Sequence, residues 1–252
     1  MINDLDNIDF DEEIKIALSI YVDLYGDQTE VPFETRVTSN MLKTFLELSK
    51  DAIERRQWEA DAHKLNGLNG SVYFPARVND KFYLIVHEKR FNEYQIHYQT
   101  IAHEYTHILD FFEYSRIFAV KNLQRKENIP NFECIKFYSE VRARFRGALL
   151  YYNVISLDRQ EVPYAFTSLA KDYSKELFGN FENDCYLLAQ FYGQYLALNC
   201  YSGLTLERPE WLHQYRVENL LGFLDENINS HQVFPQFNDF MKLFYTNQSK
   251  TV

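Results

Sequence analysis

Cysteine, glycine and proline are all scarce in this chain of 252 residues, which contains 3 Cys, 8 Gly and 6 Pro. An odd number of cysteines without a C-x-x-C pair argues against a disulfide framework and against a thiolate zinc site. We therefore expect Cys134, Cys185 and Cys200 to be free thiols in a reducing compartment. The few glycines and prolines, with 46% hydrophobic and 17% aromatic residues, are typical of a folded and largely helical protein.

An excess of basic residues, a long apolar run and an export signal are also missing. The formal net charge is -10, so binding to a phosphate backbone through counterion release is not expected. No apolar stretch approaches the roughly 18 residues that suggest a membrane span. Residues 1–9 are acidic and lack the cationic start and apolar core of a secretory signal. We expect a cytoplasmic protein that binds neither nucleic acid nor membrane; signal-independent secretion and the oligomeric state stay open.

Two helices are predicted in the N-terminal region. Asp9 and Glu12 have the spacing of a capping box, and apolar residues then recur at helical spacing until Gly26. A second, longer helical pattern runs from about 39 to about 65 and stops in a loop rich in glycine and asparagine. These patterns predict a helical region over residues 1–66.

Two short segments rich in β-branched and aromatic residues follow that loop, at 71–75 and 81–87. They predict a hairpin or two neighbouring strands, the first at an edge because Pro75 cannot donate to a ladder. The pattern is helical again after about residue 92. The predicted fold class is therefore α+β, mostly helical, with a small twisted sheet inside a core region at 67–155. A C-terminal helical region follows at 156–252, and the three regions are expected to form one compact body.

The segment 103–107, which reads HEYTH, carries the chemistry. Residues four apart in an α-helix differ by about 400° and about 6 Å, so His103 and His107 project from one face and can share a metal. Two imidazoles at this spacing suit Zn²⁺. Glu104 lies about 100° round the helix, where it can take a proton from a water that the metal activates. An apolar stripe is predicted on the opposite side of this helix, at Ile101, Tyr105, Ile108 and Phe112.

A catalytic zinc usually has three protein ligands, so one more is needed. Glu140 is the preferred candidate, because Ala143 and Gly147 continue its helical face with small residues that let two helices approach closely. The alternative is that Glu140 pairs with Arg144 or Arg142 as an ordinary solvated acid.

Two acids on the motif helix are further candidates. Asp110 falls within about 20° of His103 around the helix, and we expect it to orient a ligand histidine rather than to bind the metal. Glu113 stands where H-E-x-x-H-x-x-G-x-x-H proteins have their third ligand, but Asp110 replaces the glycine at which those chains turn. A donor to the oxyanion is also needed. The choice among its candidates stays open: Tyr138, Tyr201 and His213.

The arrangement resembles the zincin metallopeptidases of the gluzincin type, in which H-E-x-x-H is followed by a glutamate on a later helix. The resemblance covers roughly 72–150. The strand, the motif helix and a later Glu-x-x-Ala helix are also similar to the ImmA/IrrE-like peptidases. The chain departs from these in having Tyr105 and Thr106 inside the motif. It departs from thermolysin-like enzymes in having Arg144 where an acid follows the third ligand by one turn.

The resemblance implies a zincin-like core in which His103, His107 and Glu140 bind Zn²⁺ and Glu104 is the general base. It implies a zinc metallopeptidase that hydrolyses a peptide bond in a peptide or protein substrate. It also implies an edge strand that binds substrate in extended form, at 82–87 or 72–74. The alternative is a non-catalytic, zincin-derived binding or regulatory module with a structural metal.

Overall fold

The structure is a computed structural model that describes residues 8–26, 29–77, 80–93, 95–228 and 236–248. Within these ranges the chain is mostly helical with a three-stranded mixed sheet, which confirms the α+β class. None of the helices in these ranges is long and apolar enough to cross a membrane. The chain divides into two compact units, Met1–Asn128 and Ile129–Val252. The predicted regions 1–66, 67–155 and 156–252 stay a prediction.

The first helix, α1 (Phe10–Tyr25), has the bounds that the sequence predicts. A side-chain oxygen of Asp9 accepts a hydrogen bond from the backbone N–H of Glu12 at 3.1 Å, which caps the first turn. Gly26 ends the helix in the left-handed conformation at φ 64°, which glycine adopts without steric cost. The buried face of α1 consists of Ile14, Ala17, Tyr21 and Tyr25.

The prediction of one long second helix is wrong. The chain forms three short helices instead: α2 (Met41–Leu48), α3 (Ala52–Ala60) and α4 (Ala62–Leu65). The hydroxyl of Ser49 donates to the carbonyl of Phe45 at 2.7 Å, and Asp51 accepts from the N–H groups of Ile53 and Glu54 at 2.8 Å. Serine and aspartate side chains that bond to the nearby backbone favour helix ends over helix interiors. The break therefore falls between these two residues.

Both predicted strands are confirmed, and a third strand accompanies them. β2 (Gly70–Tyr73) and β3 (Phe82–His87) pair antiparallel, with Val72 opposite Leu84. The additional strand, β1 (Phe33–Thr38), pairs parallel with β3, which gives the order β1-β3-β2. β3 is therefore the central strand, and β1 and β2 are the edges of the described sheet.

The two faces of this sheet are covered by different helices. The long helix α5 (Ile96–Ile117) lies against β2 and β3 on the face that carries Val72 and Leu84. The short helices α2 and α4 cover the other face through one apolar cluster. The buried members of that cluster are Met41, Phe45, Leu65, Tyr73 and Ile85. The sheet thus gives α5 a rigid support.

The second unit consists of helices and short 3₁₀ turns within the described ranges, as the pattern after residue 92 predicts. The α-helices are α6 (Phe132–Val154), α7 (Val162–Glu176), α8 (Phe181–Ser202), α9 (Glu218–Asn227) and α10 (Phe237–Gln248). α6 and α8 form the most extensive helix pair of this unit. Residues 137–143 of α6 are all buried, so the helix is enclosed on every side there.

Candidate metal centre

The two histidines of the motif point their ring nitrogens at the same place. The Nε2 atoms of His103 and His107 lie 3.1 Å apart, with the ring planes at 86°. Two nitrogens bound to one tetrahedral zinc ion at 2.0–2.1 Å are separated by roughly 3.3 Å. Both side chains are partly exposed. The pair therefore has the spacing and the access that a shared zinc ion requires.

The back of α5 is packed as predicted, since Ile101, Tyr105, Ile108 and Phe112 are all buried. The two residues inside the motif attach α5 to α1. The ring of Tyr105 meets the ring of Tyr21 edge to face at 5.1 Å. The hydroxyl of Thr106 donates to the carbonyl of Ala102 at 2.7 Å and accepts from the hydroxyl of Tyr21 at 3.0 Å. Tyrosine and threonine at these positions thus fix the orientation of the motif helix.

The Glu104 side chain is 9% exposed and lies against the beginning of β2. A Cβ atom at Gly70 would lie 3.0 Å from Cγ and 3.2 Å from Oε1 of Glu104, and 2.5 Å from Cγ2 of Thr100. A residue without a side chain is therefore needed opposite the motif glutamate. The sequence indicated Gly70 only as part of a loop. The available signal was its position directly before a predicted strand.

Glu140 lies in α6 and is 6% exposed. Its Oε1 accepts a hydrogen bond from Nε2 of Gln190 in α8. Glu140 is thus not a solvated acid, and Arg142 is also buried, at 3% exposed; the pairing of Glu140 with Arg142 or Arg144 stays an alternative. Arg144 donates to Gln194. The contact with Gln190 was not predicted, because no local sequence pattern links two residues that are 50 positions apart.

One ligand atom from each of His103, His107 and Glu140 lies within 4.8 Å of the other two. Among the described residues, neither Asp110 nor Glu113 belongs to this group. Asp110 is completely buried, and its role as an orienting acid stays a prediction. Two nitrogens and a carboxylate are a usual ligand set for catalytic zinc. These residues therefore fit the metal that the sequence predicts.

The three candidates for an oxyanion donor have different surroundings. The hydroxyl of Tyr201 donates to the carbonyl of Leu157 at 2.7 Å, and His213 shares a hydrogen bond with Glu218 at 3.2 Å. Tyr138 is completely buried in α6. Tyr201 and His213 thus have structural contacts within the second unit, and the oxyanion donor stays unassigned.

No protein-family model, curated protein or solved structure matches this chain. The resemblance to gluzincins is therefore carried by the motif at 103–107 and by Glu140 and stays a prediction. The chemistry of the chain is inferred from the geometry of its own side chains.

Proposed function

We propose that this chain is a zinc-dependent metallopeptidase. The observation that carries the proposal is the 3.1 Å approach of the His103 and His107 Nε2 atoms on a helix whose Glu104 lies beside a sheet edge. Imidazole nitrogens and a carboxylate suit Zn²⁺ better than they suit Mg²⁺ or Ca²⁺, which prefer oxygen ligands. His103, His107 and Glu140 would hold the ion.

A zinc ion held by these residues would supply a Lewis acid that polarises a carbonyl group and brings the pKa of a water toward neutrality. Glu104 would accept a proton from the water whose oxygen attacks the scissile carbonyl carbon. Glu104 then donates the proton to the amine that leaves when the C–N bond breaks. The absence of a side chain at Gly70 leaves the Glu104 side chain the space that it occupies.

The substrate backbone is proposed to bind along β2. Of the two strands suggested by the sequence, β3 is paired on both sides and has no edge to offer. β2 is an edge of the described sheet, and its first residue, Gly70, lies next to Glu104, where there is no room for a Cβ atom. An extended peptide that pairs with β2 would therefore pass the proposed base.

The proposed substrate is a peptide or protein, and the proposed location is the cytoplasm. The net charge of -10 opposes binding to nucleic acid, because phosphate contacts depend on lysine and arginine. Cys134, Cys185 and Cys200 are all free thiols, as a reducing compartment requires. Cell fractionation tests the location.

The Glu104→Gln variant tests the proposed reaction. Native and variant protein are loaded with zinc and incubated with a random peptide library, and cleavage is followed by mass spectrometry. We expect equal zinc content and a loss of hydrolysis of about 100- to 10,000-fold in the variant, because a general base contributes that much. Glu113→Gln, the other glutamate of α5, is the matched control and should retain both properties.

Equal hydrolysis by native protein and Glu104→Gln would contradict the proposal. Stoichiometric zinc in a native protein that cleaves nothing would favour the non-catalytic module. Elemental analysis of Glu140→Ala, Asp110→Ala and Glu113→Ala tests the third ligand, and the largest loss of zinc is expected in Glu140→Ala. Full zinc retention in Glu140→Ala would overturn that assignment.

A further inference from the structure

The carboxylate of Glu140 is held by a side chain of the neighbouring helix. Gln190 of α8 donates a hydrogen bond from Nε2 to Oε1 of Glu140, and both residues are buried, at 9% and 6% exposed. The same Nε2 lies 3.4 Å from the hydroxyl of Tyr186, one turn earlier on α8. A buried amide thus fixes one oxygen of this carboxylate.

A glycine makes this contact possible by letting α8 lie directly against α6. A Cβ atom at Gly193 would lie 2.4 Å from the carbonyl oxygen of Val141 and 2.7 Å from Cβ of Arg144. The backbone of α8 at Gly193 therefore lies directly against α6, about one turn beyond Gln190 and Glu140. At this separation a glutamine is long enough to reach across the helix pair.

The next turn of α8 places a second glutamine against α6. Gln194 accepts a hydrogen bond from Arg144 at 3.0 Å and donates through Nε2 to the hydroxyl of Tyr152 at 3.0 Å. Gln194 thus bridges the same two helices as Gln190, but its partners are not carboxylates. It offers a matched control for the effect of Gln190.

The neutral amide of Gln190 is a suitable hydrogen-bond donor to a carboxylate that also binds a cation. An amide is neutral, so it orients the carboxylate without cancelling the negative charge, whereas lysine or arginine would compete with the cation. Contacts behind a metal ligand orient it and set metal affinity. Building on the proposed zinc site, we propose that Gln190 is a positioning residue that holds the Glu140 carboxylate for zinc.

The test compares the zinc affinity of the native full chain with that of Gln190→Met and Gln194→Met. Methionine is close to glutamine in length and helix propensity but lacks the amide. In competition with a chromogenic chelator, we expect the zinc Kd to rise about 10- to 100-fold in Gln190→Met and less than about threefold in Gln194→Met. In a Glu140→Ala background, Gln190→Met should have no further effect, because the two residues act as a pair.

Native affinity in Gln190→Met, together with weakened affinity in Glu140→Ala, would overturn the role of Gln190 and leave the zinc site standing. Native affinity in Glu140→Ala would instead overturn the proposed ligand set. Equal losses in Gln190→Met and Gln194→Met would show that loosening of the helix pair sets the affinity, which also overturns the inference. If Gln190→Met does not fold, Gln190→Asn, whose amide is one methylene too short, must show the same loss, and native affinity there overturns the inference.

Discussion

Gly70 brings the backbone of β2 next to the proposed general base. Any Cβ atom at this position would meet Cγ2 of Thr100 at 2.5 Å and Cγ of Glu104 at 3.0 Å. Threonine is β-branched, and its χ1 angle is restricted, so Thr100 cannot move aside without cost. A side chain at position 70 would therefore displace either the helix or the Glu104 carboxylate.

We expect Gly70→Ala to lower kcat/KM by about 100-fold, because a displacement of about 1 Å at a catalytic group has that effect. The free energy of unfolding, measured in urea, should fall by about 1–3 kcal/mol through overpacking. Zinc content should persist, since the clash falls on Thr100 and Glu104. The matched control is Gly67→Ala, whose Cβ would meet only the Lys64 carbonyl oxygen at 3.5 Å. Native kcat/KM in Gly70→Ala would contradict this role.

Residues of the site differ in how far the sequence predicts them. His103, Glu104 and His107 follow from helical periodicity, because their mutual geometry is set within two turns of one helix. Gly70 and Gln190 do not, because each acts through a residue on another element. Local sequence also does not predict whether a charged residue is buried, since that depends on which elements pack around its helix.

Helices and strands, like single residues, are predicted only where the signal is local in the sequence. β1 was not predicted, because its residues Phe33–Thr38 mix apolar and polar types and its partner β3 lies almost 50 residues further along the chain. α1 was predicted with its ends, since Asp9 and Gly26 are local signals. The break at 49–51 was missed because serine and aspartate do not interrupt an apolar pattern, although they can end a helix.

The contact between α1 and α5 contains a buried histidine. His97 is 5% exposed, stacks on Phe91 at 4.8 Å and hydrogen-bonds through Nε2 to Glu13 at 3.1 Å. The hydroxyl of Tyr98 donates to the same Glu13 oxygen at 2.8 Å. Among the described residues no acceptor faces Nδ1 of His97, so protonation would bury an unsatisfied donor. Burial lowers the pKa of His97 below its ordinary value, and the Glu13 carboxylate opposes this shift only in part.

We expect acid to weaken this helix contact. The unfolded chain takes up a proton on His97 below about pH 6.5, whereas the folded chain takes it up only at lower pH. The stability due to a neutral His97 is therefore present above about pH 6.5 and lost as pH falls through the lowered pKa. His97→Gln keeps a donor to Glu13 but does not titrate. Urea unfolding at pH 7.5 and pH 5.5 should show a smaller pH dependence in His97→Gln than in native protein, and an equal or larger one would contradict the assignment.

At the scale of the whole molecule, the proposed zinc binding would make the stability of the fold depend on the zinc concentration. Glu140 follows His107 by more than thirty positions, so an unfolded chain pays a loop-closure cost to bring the proposed ligands together. The folded chain has already brought these ligand atoms within 4.8 Å of one another. Zinc should therefore bind the folded state in strong preference to the unfolded state, and binding of that kind adds to stability.

Zinc at about 100 times its Kd should raise the free energy of unfolding by about 2.7 kcal/mol, because a ligand bound only to the folded state stabilises it by mass action. For a chain of this length that corresponds to a rise in Tm of about 5–10 °C in a thermal scan. A chelator should reverse the rise, and His103→Ala should abolish it because one of three ligands is lost. Mg²⁺ at the same concentration is the control, since it prefers octahedral oxygen ligands. An equal rise with Mg²⁺, or a full rise in His103→Ala, would show that zinc stabilises the protein from another place.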